Sequence, residues 1–320
     1  MRVNRRFLYW GILLVAIGGV LVAADIRAAD TATLKDAFHL WPLALVAIGL
    51  SLVLRKTRLS LPGLVLAAAV PGVVLGAALA AAPRVIGECV ARGEPTGVAT
   101  AHGTFDGPAS VSVRSGCGSL NVKTAPGNGW QLDAGTTSVR TPTVDSSTRS
   151  LSIDGTRNDG ASFFDAGRDA WDLTLPTSDL DAMSLVVFAG HATVDLPGAR
   201  IQRLALTVNA AEIAVDASAA TVADVSAVIN AGLLSIRLPA DSDLVGSLRV
   251  GAGELQVCTP AGVGLRVTTS GVARQVTVDD LRQSGSDWQS LDYQSAPHRS
   301  DLHVNVSFGT VKINPIGGCK

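Results

Sequence analysis

Charged and aromatic side chains are scarce in this chain. Only 17% of its 320 residues are Asp, Glu, Lys or Arg and 4% are Phe, Trp or Tyr, whereas 47% are hydrophobic. Soluble domains average about 25% charged residues, so a wholly soluble enzyme is disfavoured. With so few aromatic residues, the apolar content must come from Ala, Val, Leu and Ile concentrated in part of the chain. The composition therefore predicts two regions of different character.

Catalytic signatures are also missing. The five histidines show no metal-ligand spacing, and the sequence has no HExxH, CxxC, GxSxG or phosphate-cradling loop. No basic patch with interleaved aromatic residues is present, which excludes nucleic acid as a partner. We therefore predict a protein that is not an enzyme, with no catalytic residues, no cofactor and no metal site.

Three long runs near the amino terminus contain no charged residue: 7–24, 38–54 and 59–82. As helices they would extend about 27, 25 and 36 Å, close to the roughly 30 Å of a bilayer's hydrocarbon core. They predict an anchor of three transmembrane helices over residues 1–83, in contact with membrane lipid. Pro62 and Pro71 lie inside the third run, so whether it spans fully stays open.

Basic residues precede the first run and separate the second from the third: Arg2, Arg5, Arg6, Arg55, Lys56 and Arg58. The positive-inside rule then places the amino terminus in the cytoplasm. Three crossings would leave the rest of the chain outside. We therefore predict a multi-pass protein of the cell membrane with an extracytoplasmic carboxyl-terminal domain.

The rest of the chain divides into a linker (84–104), a β domain (105–315) and a short tail (316–320). Apolar and polar residues alternate through the β domain, and a period of 21 brings like residues into columns. The columns are Val187, Val208, Ile229 and Val250; Ala189, Ala210, Ala231, Ala252 and Ala273; Ala192, Ile213, Leu234, Leu255 and Val276; and Val194, Val215, Ile236, Val257 and Val278.

This period predicts the fold class: after the three-helix anchor, an all-β domain built as a single-stranded β-solenoid, a parallel β-helix-like stack of about 21 residues per coil. Successive coils should stack in sequence order, with the columns inward. The intervening residues should face water: Thr193, Ala214, Ser235, Gln256 and Thr277. Small corner residues such as Gly190, Gly232 and Gly253 would permit sharp bends.

Several segments together resemble a known family. They are the repeated Leu14–Gly18 and Leu45–Gly49 runs, Trp171–Pro176, the Ala-Gly corners and Val257–Val267. This combination resembles the LiaI/LiaF-like membrane proteins with a toast-rack, adhesin-like β-solenoid domain. The resemblance implies a bacterial cell-envelope protein, an accessory or sensing component of envelope-stress signalling. Its solenoid would present an exterior face to a protein or wall polymer, with a membrane histidine kinase as a candidate partner.

An alternative function rests on two acidic residues. Asp195 and Asp216 follow the last inward column on neighbouring coils. Such a pair could serve an exterior carbohydrate-active or adhesive β-helix protein, as two carboxylates or by holding a cation. An Asp in this position also commonly begins a turn by hydrogen-bonding the backbone. Both interpretations stay open at this point.

All four cysteines, Cys89, Cys117, Cys258 and Cys319, follow the apolar runs. An even number in one region predicts disulfides in an oxidising compartment, and three pairings exist. Because a disulfide needs Cα atoms about 5.5 Å apart, the local pairs Cys89–Cys117 and Cys258–Cys319 are favoured over bridges along the stack. The alternative is four free thiols in a cytoplasmic domain.

Overall fold

The computed structural model describes Ile12 and residues 14–16, 97–136, 141–155, 169–271, 275–285 and 287–319. The chain divides into two units, Met1–Glu88 and Cys89–Lys320. In the first unit the described residues, Ile12 and 14–16, are helical. The second unit consists mainly of β-strands and carries all the features discussed below.

The prediction of a three-helix anchor is contradicted. Within the described part of the chain, no helix is long and apolar enough to cross a membrane. The predicted spans 7–24, 38–54 and 59–82 otherwise lie outside the described residues. The predicted multi-pass membrane localisation depended on this anchor and is corrected with it, whereas the contact with membrane lipid stays a prediction.

Seventeen strands are found in the described part of the second unit. They are β1 (Gly97–Thr104), β2 (Ala109–Ala125), β3 (Gly129–Thr136), β4 (Thr143–Ser147), β5 (Ser150–Asp154), β6 (Asp169–Pro176), β7 (Asp179–Asp195), β8 (Arg200–Asp216), β9 (Thr221–Arg237), β10 (Leu244–Val250), β11 (Glu254–Cys258), β12 (Val263–Gly271), β13 (Gln275–Val278), β14 (Leu281–Ser284), β15 (Asp287–Ser290), β16 (His298–Val306) and β17 (Thr310–Ile313).

The central strands β7, β8 and β9 are parallel and stack with the predicted offset of 21 residues. Val187 pairs with Val208 and Val208 with Ile229, and the later columns follow the same register. The Val, Ile and Leu side chains of the inward columns are completely or almost completely buried, as in Ile213 and Leu234. The alanine column is not inward throughout, because Ala189 is buried but Ala210 is only half-buried and Ala231 is exposed. The predicted all-β stack and its period are therefore confirmed for these layers.

Each long strand bends once, which divides it into a first arm and a second arm. In β7 the inward residues are Val187 and Ala189 before the bend and Ala192 and Val194 after it, so the alternation slips by one residue. Gly190 lies at this change in alternation and has a φ of 109°. A side chain there would collide with the backbone of β2, so β7 requires glycine at this position. In β8 the same column holds Ala211, whose φ is not positive.

The order of the layers departs from the sequence at both ends. The described residues form eight parallel layers in the order β5 with β6, β2, β7, β8, β9, β10 with β11, β16 with β17, and β12 with β13. The prediction that Leu255 contacts Val276 directly is wrong, because Val311 lies between them. At the amino-terminal end, β2 therefore lies one layer inside β5 and β6, although it precedes them in sequence. At the carboxyl-terminal end, β16 and β17 lie one layer inside β12 and β13, although they follow them in sequence.

Antiparallel strands cover both ends of the stack. At one end β3 pairs with β6 and β1 with β3, and at the other β15 pairs with β12 and β14 with β15. Phe105 and Trp130 are buried beneath the first of these covers. An open parallel edge would invite pairing with another chain, and the antiparallel covers protect the arms that they pair with.

Two residues predicted to face water are buried instead. Thr193 is exposed as expected, but Ser235 and Gln256 are only 3% and 7% exposed. The carboxyl-terminal tail reaches this part of the surface: Cys319 Sγ lies 3.8 Å from the Ile236 carbonyl oxygen, and Arg237 donates a hydrogen bond to the Cys319 carbonyl. A period of 21 could not reveal this, because the tail lies outside the repeat.

A disulfide joins Cys258 to Cys319, with Cα atoms 5.8 Å apart, which confirms that predicted pair. Cys117 is also disulfide-bonded and aligns with Ala189 in the small-residue column. Its predicted partner, Cys89, lies outside the described residues. The alternative of four free thiols is therefore wrong.

Replacing Cys258 and Cys319 together by Ser should lower the free energy of unfolding by about 3–4 kcal/mol. The bridge closes a loop with a sequence separation of 61 residues, and opening it restores that conformational freedom to the unfolded chain. Urea unfolding measures the difference. Unchanged stability of the double variant would mean that the disulfide to the tail does not stabilise the β domain.

Candidate functional site

Asp195 and Asp216 lie side by side on neighbouring layers, and Arg237 follows them on the next. Arg237 donates a hydrogen bond of 3.0 Å to Asp216 Oδ2. The backbone N–H and the hydroxyl of Ser218 donate to Oδ1 at 3.0 and 2.6 Å. Partial burial raises the pKa of Asp216, but the bonds from Ser218 and Arg237 outweigh it and hold that pKa below its ordinary value.

The structure thus brings the two acidic residues together but engages one of them in a turn. Both oxygens of Asp216 accept hydrogen bonds within its own surroundings, as expected for an Asp that begins a turn. Asp195 is exposed. Within the described ranges, no group of three or more His, Cys, Asp or Glu side chains could hold a metal ion. The geometry does not favour a carboxylate pair here.

A different surface runs along the outward side of the first arms. Its central column crosses all eight layers and consists mostly of small hydroxyl side chains, and we call it the serine face. In layer order its members are Ser152, Ser112, Ser184, Ala205, Ser226, Ser247, His303 and Thr268. All are at least partly exposed, including Ser152, whose strand pairs with β4 at the end of the stack.

The columns beside the serine face add charges of both signs and a few aliphatic side chains. Arg266 donates a hydrogen bond of 2.8 Å to Asp301, and Arg203 lies next to Asp224 on the neighbouring layer. Val228 and Val245 are 38% and 54% exposed. The result is a regular surface of small side chains without a dominant charge, repeated at the strand spacing of about 4.8 Å.

The serine face has a signal in the sequence that the hydrophobic pattern does not report. Ser184, Ala205, Ser226 and Ser247 recur at the same offset of 21 that identified the buried columns. A hydrophobic period identifies buried residues, so it does not single out a column of outward serines. An outward column becomes recognisable only once the inward columns have fixed the register.

One half-buried carboxylate, that of Asp169 at the start of β6, lies against the bend of β2. Asp169 accepts hydrogen bonds from the backbone N–H groups of Gly116 and Cys117, where β2 turns. Burial raises the pKa of Asp169 to about 7, and the two backbone hydrogen bonds offset only part of that effect. Asp169 is therefore a structural group whose charge changes near neutral pH.

Asp169→Asn should remove a pH dependence of stability. Because the pKa of Asp169 in the folded protein lies above its unfolded value, the contribution of this group is fully present below about pH 4. It is then lost as the pH rises to about 7, by at most about 4 kcal/mol. The variant should gain stability over the parent at pH 8 and not at pH 4 in thermal melts, whereas exposed Asp195→Asn should show no such gain. An equal effect at both pH values would contradict the assignment.

Comparisons with known proteins give a distant resemblance in structure alone. No family model matches the chain, and no curated protein matches it in sequence. A "putative cell adhesion protein" from Clostridium sporogenes is 13% identical, with a TM-score of 0.47, over 68% of this chain and 99% of that one. A "putative adhesin" from Bacteroides fragilis is 10% identical, with a TM-score of 0.30, over 68% and 97%.

A third structure, a "putative adhesin" from Parabacteroides merdae, is 11% identical with a TM-score of 0.24, over 68% of this chain and 96% of that chain. Similarities of this size identify neither a family nor a function. The all-β stack agrees with the adhesin-like part of the expected resemblance. The LiaI/LiaF-like assignment has no matching family model behind it.

Proposed function

We propose that this chain is a non-enzymatic, adhesin-like protein of the cell envelope that binds a repetitive wall polymer along the serine face. The observation that carries the proposal is the column of small hydroxyl side chains crossing eight parallel layers. Six of the eight layers place a hydroxyl in this column, and neighbouring layers are about 4.8 Å apart. A polymer with many hydroxyl and amide groups could exchange one hydrogen bond with each of several layers.

A polymer fits this surface better than a compact protein. Protein interfaces draw most of their binding energy from a few large anchors, mainly Trp, Tyr and Arg, seated in pockets. The serine face offers none along its central column, where the largest side chain is His303. Many weak contacts to one long ligand gain strength through effective concentration, which suits a flat and repetitive surface.

The carbohydrate-cleaving alternative receives no support from Asp195 and Asp216. Glycoside hydrolysis needs two carboxyl groups free to exchange protons or attack the sugar. Asp216 is instead bound by Ser218 and Arg237. The role in envelope-stress signalling and the membrane histidine kinase as a partner stay predictions, since no described residue bears on them.

The test is co-sedimentation of the full chain with insoluble cell-wall material stripped of protein. The parent should be found in the pellet. Ser226→Gln with Ser247→Gln places two longer, uncharged side chains in the middle of the serine face, and we expect at least about tenfold weaker binding, or about 1.4 kcal/mol. Both positions are exposed, so the fold should tolerate the change.

Thr193→Gln is the matched control, because it lengthens an exposed side chain on the outward side of the second arm. This variant should bind as the parent does. Equal binding by the parent and both variants would show that the polymer contacts a surface other than the serine face. Absence of the parent from the pellet would reject a wall polymer as the ligand.

A further inference from the structure

A cavity of about 650 Å³ opens near the carboxyl-terminal end of the stack. Four separate segments line it: 259–263 after β11, 280–282 at the start of β14, 290–292 at the end of β15, and Asn314 after β17. Sites for small ligands are typically concave regions of this volume where several loops meet. None of these residues takes part in the serine face.

Two backbone positions in the cavity are held in an uncommon conformation. Asp280 and Asn314, with φ of 63° and 49°, are the non-glycine residues with positive φ among those described, and both line the cavity. The Asp279 N–H donates to the Ile313 carbonyl at 3.1 Å, and the Asn314 N–H donates to the Val257 carbonyl at 2.8 Å. The second bond holds Asn314 itself and the first holds the residue before Asp280. Residues with such backbone conformations concentrate at ligand sites.

Several polar groups that line the cavity have hydrogen-bonding atoms that are not fully used within the protein. Thr259 Oγ1 is buried and has no hydrogen-bond partner among the described residues. Asn314 Oδ1 accepts the Thr259 N–H at 2.8 Å, which leaves the side-chain NH₂ as a donor. Ser290 Oγ accepts the Leu265 N–H at 3.1 Å, so its own O–H can still donate. Thr259 Oγ1 has almost no accessible surface, so the groups that can donate to a ligand are the Asn314 side-chain NH₂ and the Ser290 hydroxyl.

The remaining lining combines charge with aliphatic surface. Asp280 and Asp292 offer carboxylate acceptors beside the single guanidinium of Arg282, and all three side chains are exposed. This balance is negative, which disfavours phosphate and other anionic ligands. Leu291, 70% exposed, supplies an aliphatic surface for the C–H groups of a ligand.

We propose that this cavity binds a short neutral oligosaccharide. Sugar hydroxyls both donate and accept hydrogen bonds, and the cavity provides acceptors at Asp280 and Asp292 and donors at Arg282 and Asn314. Its volume accommodates a di- or trisaccharide. The proposal goes beyond binding of a polymer along the serine face, because it concerns a second site that would hold a short or terminal saccharide.

The test is isothermal titration of the full chain with three neutral trisaccharides: N-acetylated chitotriose, cellotriose and maltotriose. We expect saturable binding of one ligand per chain for at least one of them. Asp280→Asn, which keeps a residue that tolerates positive φ, and Arg282→Ala should each weaken that binding at least about tenfold. Asp195→Asn, outside the cavity, is the matched control and should leave the affinity unchanged. Thermal melts establish that the variants are folded.

No binding of any of the three trisaccharides overturns the proposal, as does binding that both cavity variants retain. Tighter binding of glycerol phosphate than of every trisaccharide also overturns it, because the ligand would then be anionic. Wall co-sedimentation is measured on the same cavity variants. Retained co-sedimentation with lost trisaccharide binding supports two separate sites, so failure of one proposal is distinguishable from failure of the other.

Discussion

Leu234→Asp should unfold the β domain or lower its free energy of unfolding by at least about 4 kcal/mol. Leu234 is 0% exposed and lies between Ile213 and Leu255 in the stack. Both neighbours are aliphatic, so a carboxylate at this position would have no partner in an apolar column. The loss is a large fraction of the 5–15 kcal/mol that stabilises a typical domain. Chemical denaturation followed by far-UV circular dichroism measures it.

Thr193→Asp is the control for this experiment. Thr193 occupies the outward side of the second arm of β7 and is exposed, so the same new charge remains in water. We expect a change within about 0.5 kcal/mol. A similar loss in the free energy of unfolding for both variants would mean that the register is wrong by one residue, because a shift of one residue exchanges the two faces of every strand.

Gly190→Ala should be as damaging as the buried charge, although it adds a single methyl group. Gly190 has a φ of 109°, and a Cβ there would collide with the carbonyl oxygen of Gly118 in the adjoining layer. The colliding atom belongs to the backbone, so no side-chain rotation can relieve the contact, and two layers must separate at the bend. We expect a loss of at least about 3 kcal/mol in thermal or urea unfolding.

Gly107→Ala provides the matched comparison. No heavy atom lies within 4 Å of a Cβ built at Gly107, and its φ is not in the positive region. This variant should be neutral or slightly more stable, since Ala restricts the unfolded chain. If Gly190→Ala proved equally harmless, the bend would have to be looser than the structure describes.

The cysteine pattern shows how far spacing alone could reach into the tertiary structure. Proximity in sequence and the narrow distance that a disulfide allows favoured Cys258–Cys319, and that pair forms. The same reasoning could not show that the tail would reach Ile236 and Arg237, or that the neighbouring Ser235 would be buried, because such contacts depend on which segment folds across the strand. A repeat describes its own coils and not the chain beyond them.

The candidate sites were less accessible to sequence reasoning than the core. Asp195 and Asp216 were correctly placed next to each other by the period of 21, but only the coordinates show that Asp216 is engaged by Ser218 and Arg237. The cavity combines Thr259, Asp280 and Asn314 from three different layers. Their approach depends on the order of those layers, which no local pattern encodes.

By itself the sequence determined the β class of the domain, the 21-residue register and the inward face of the central layers. Each of these follows from alternation and hydrophobic burial, which are local and repeat at every turn of the stack. Only the tertiary structure decided the order of layers, in which β16 with β17 lies between β11 and β13. The aliphatic columns are compatible with either order of layers, because Leu255, Val276 and Val311 can each pack against the others. The connections between the strands determine which order forms.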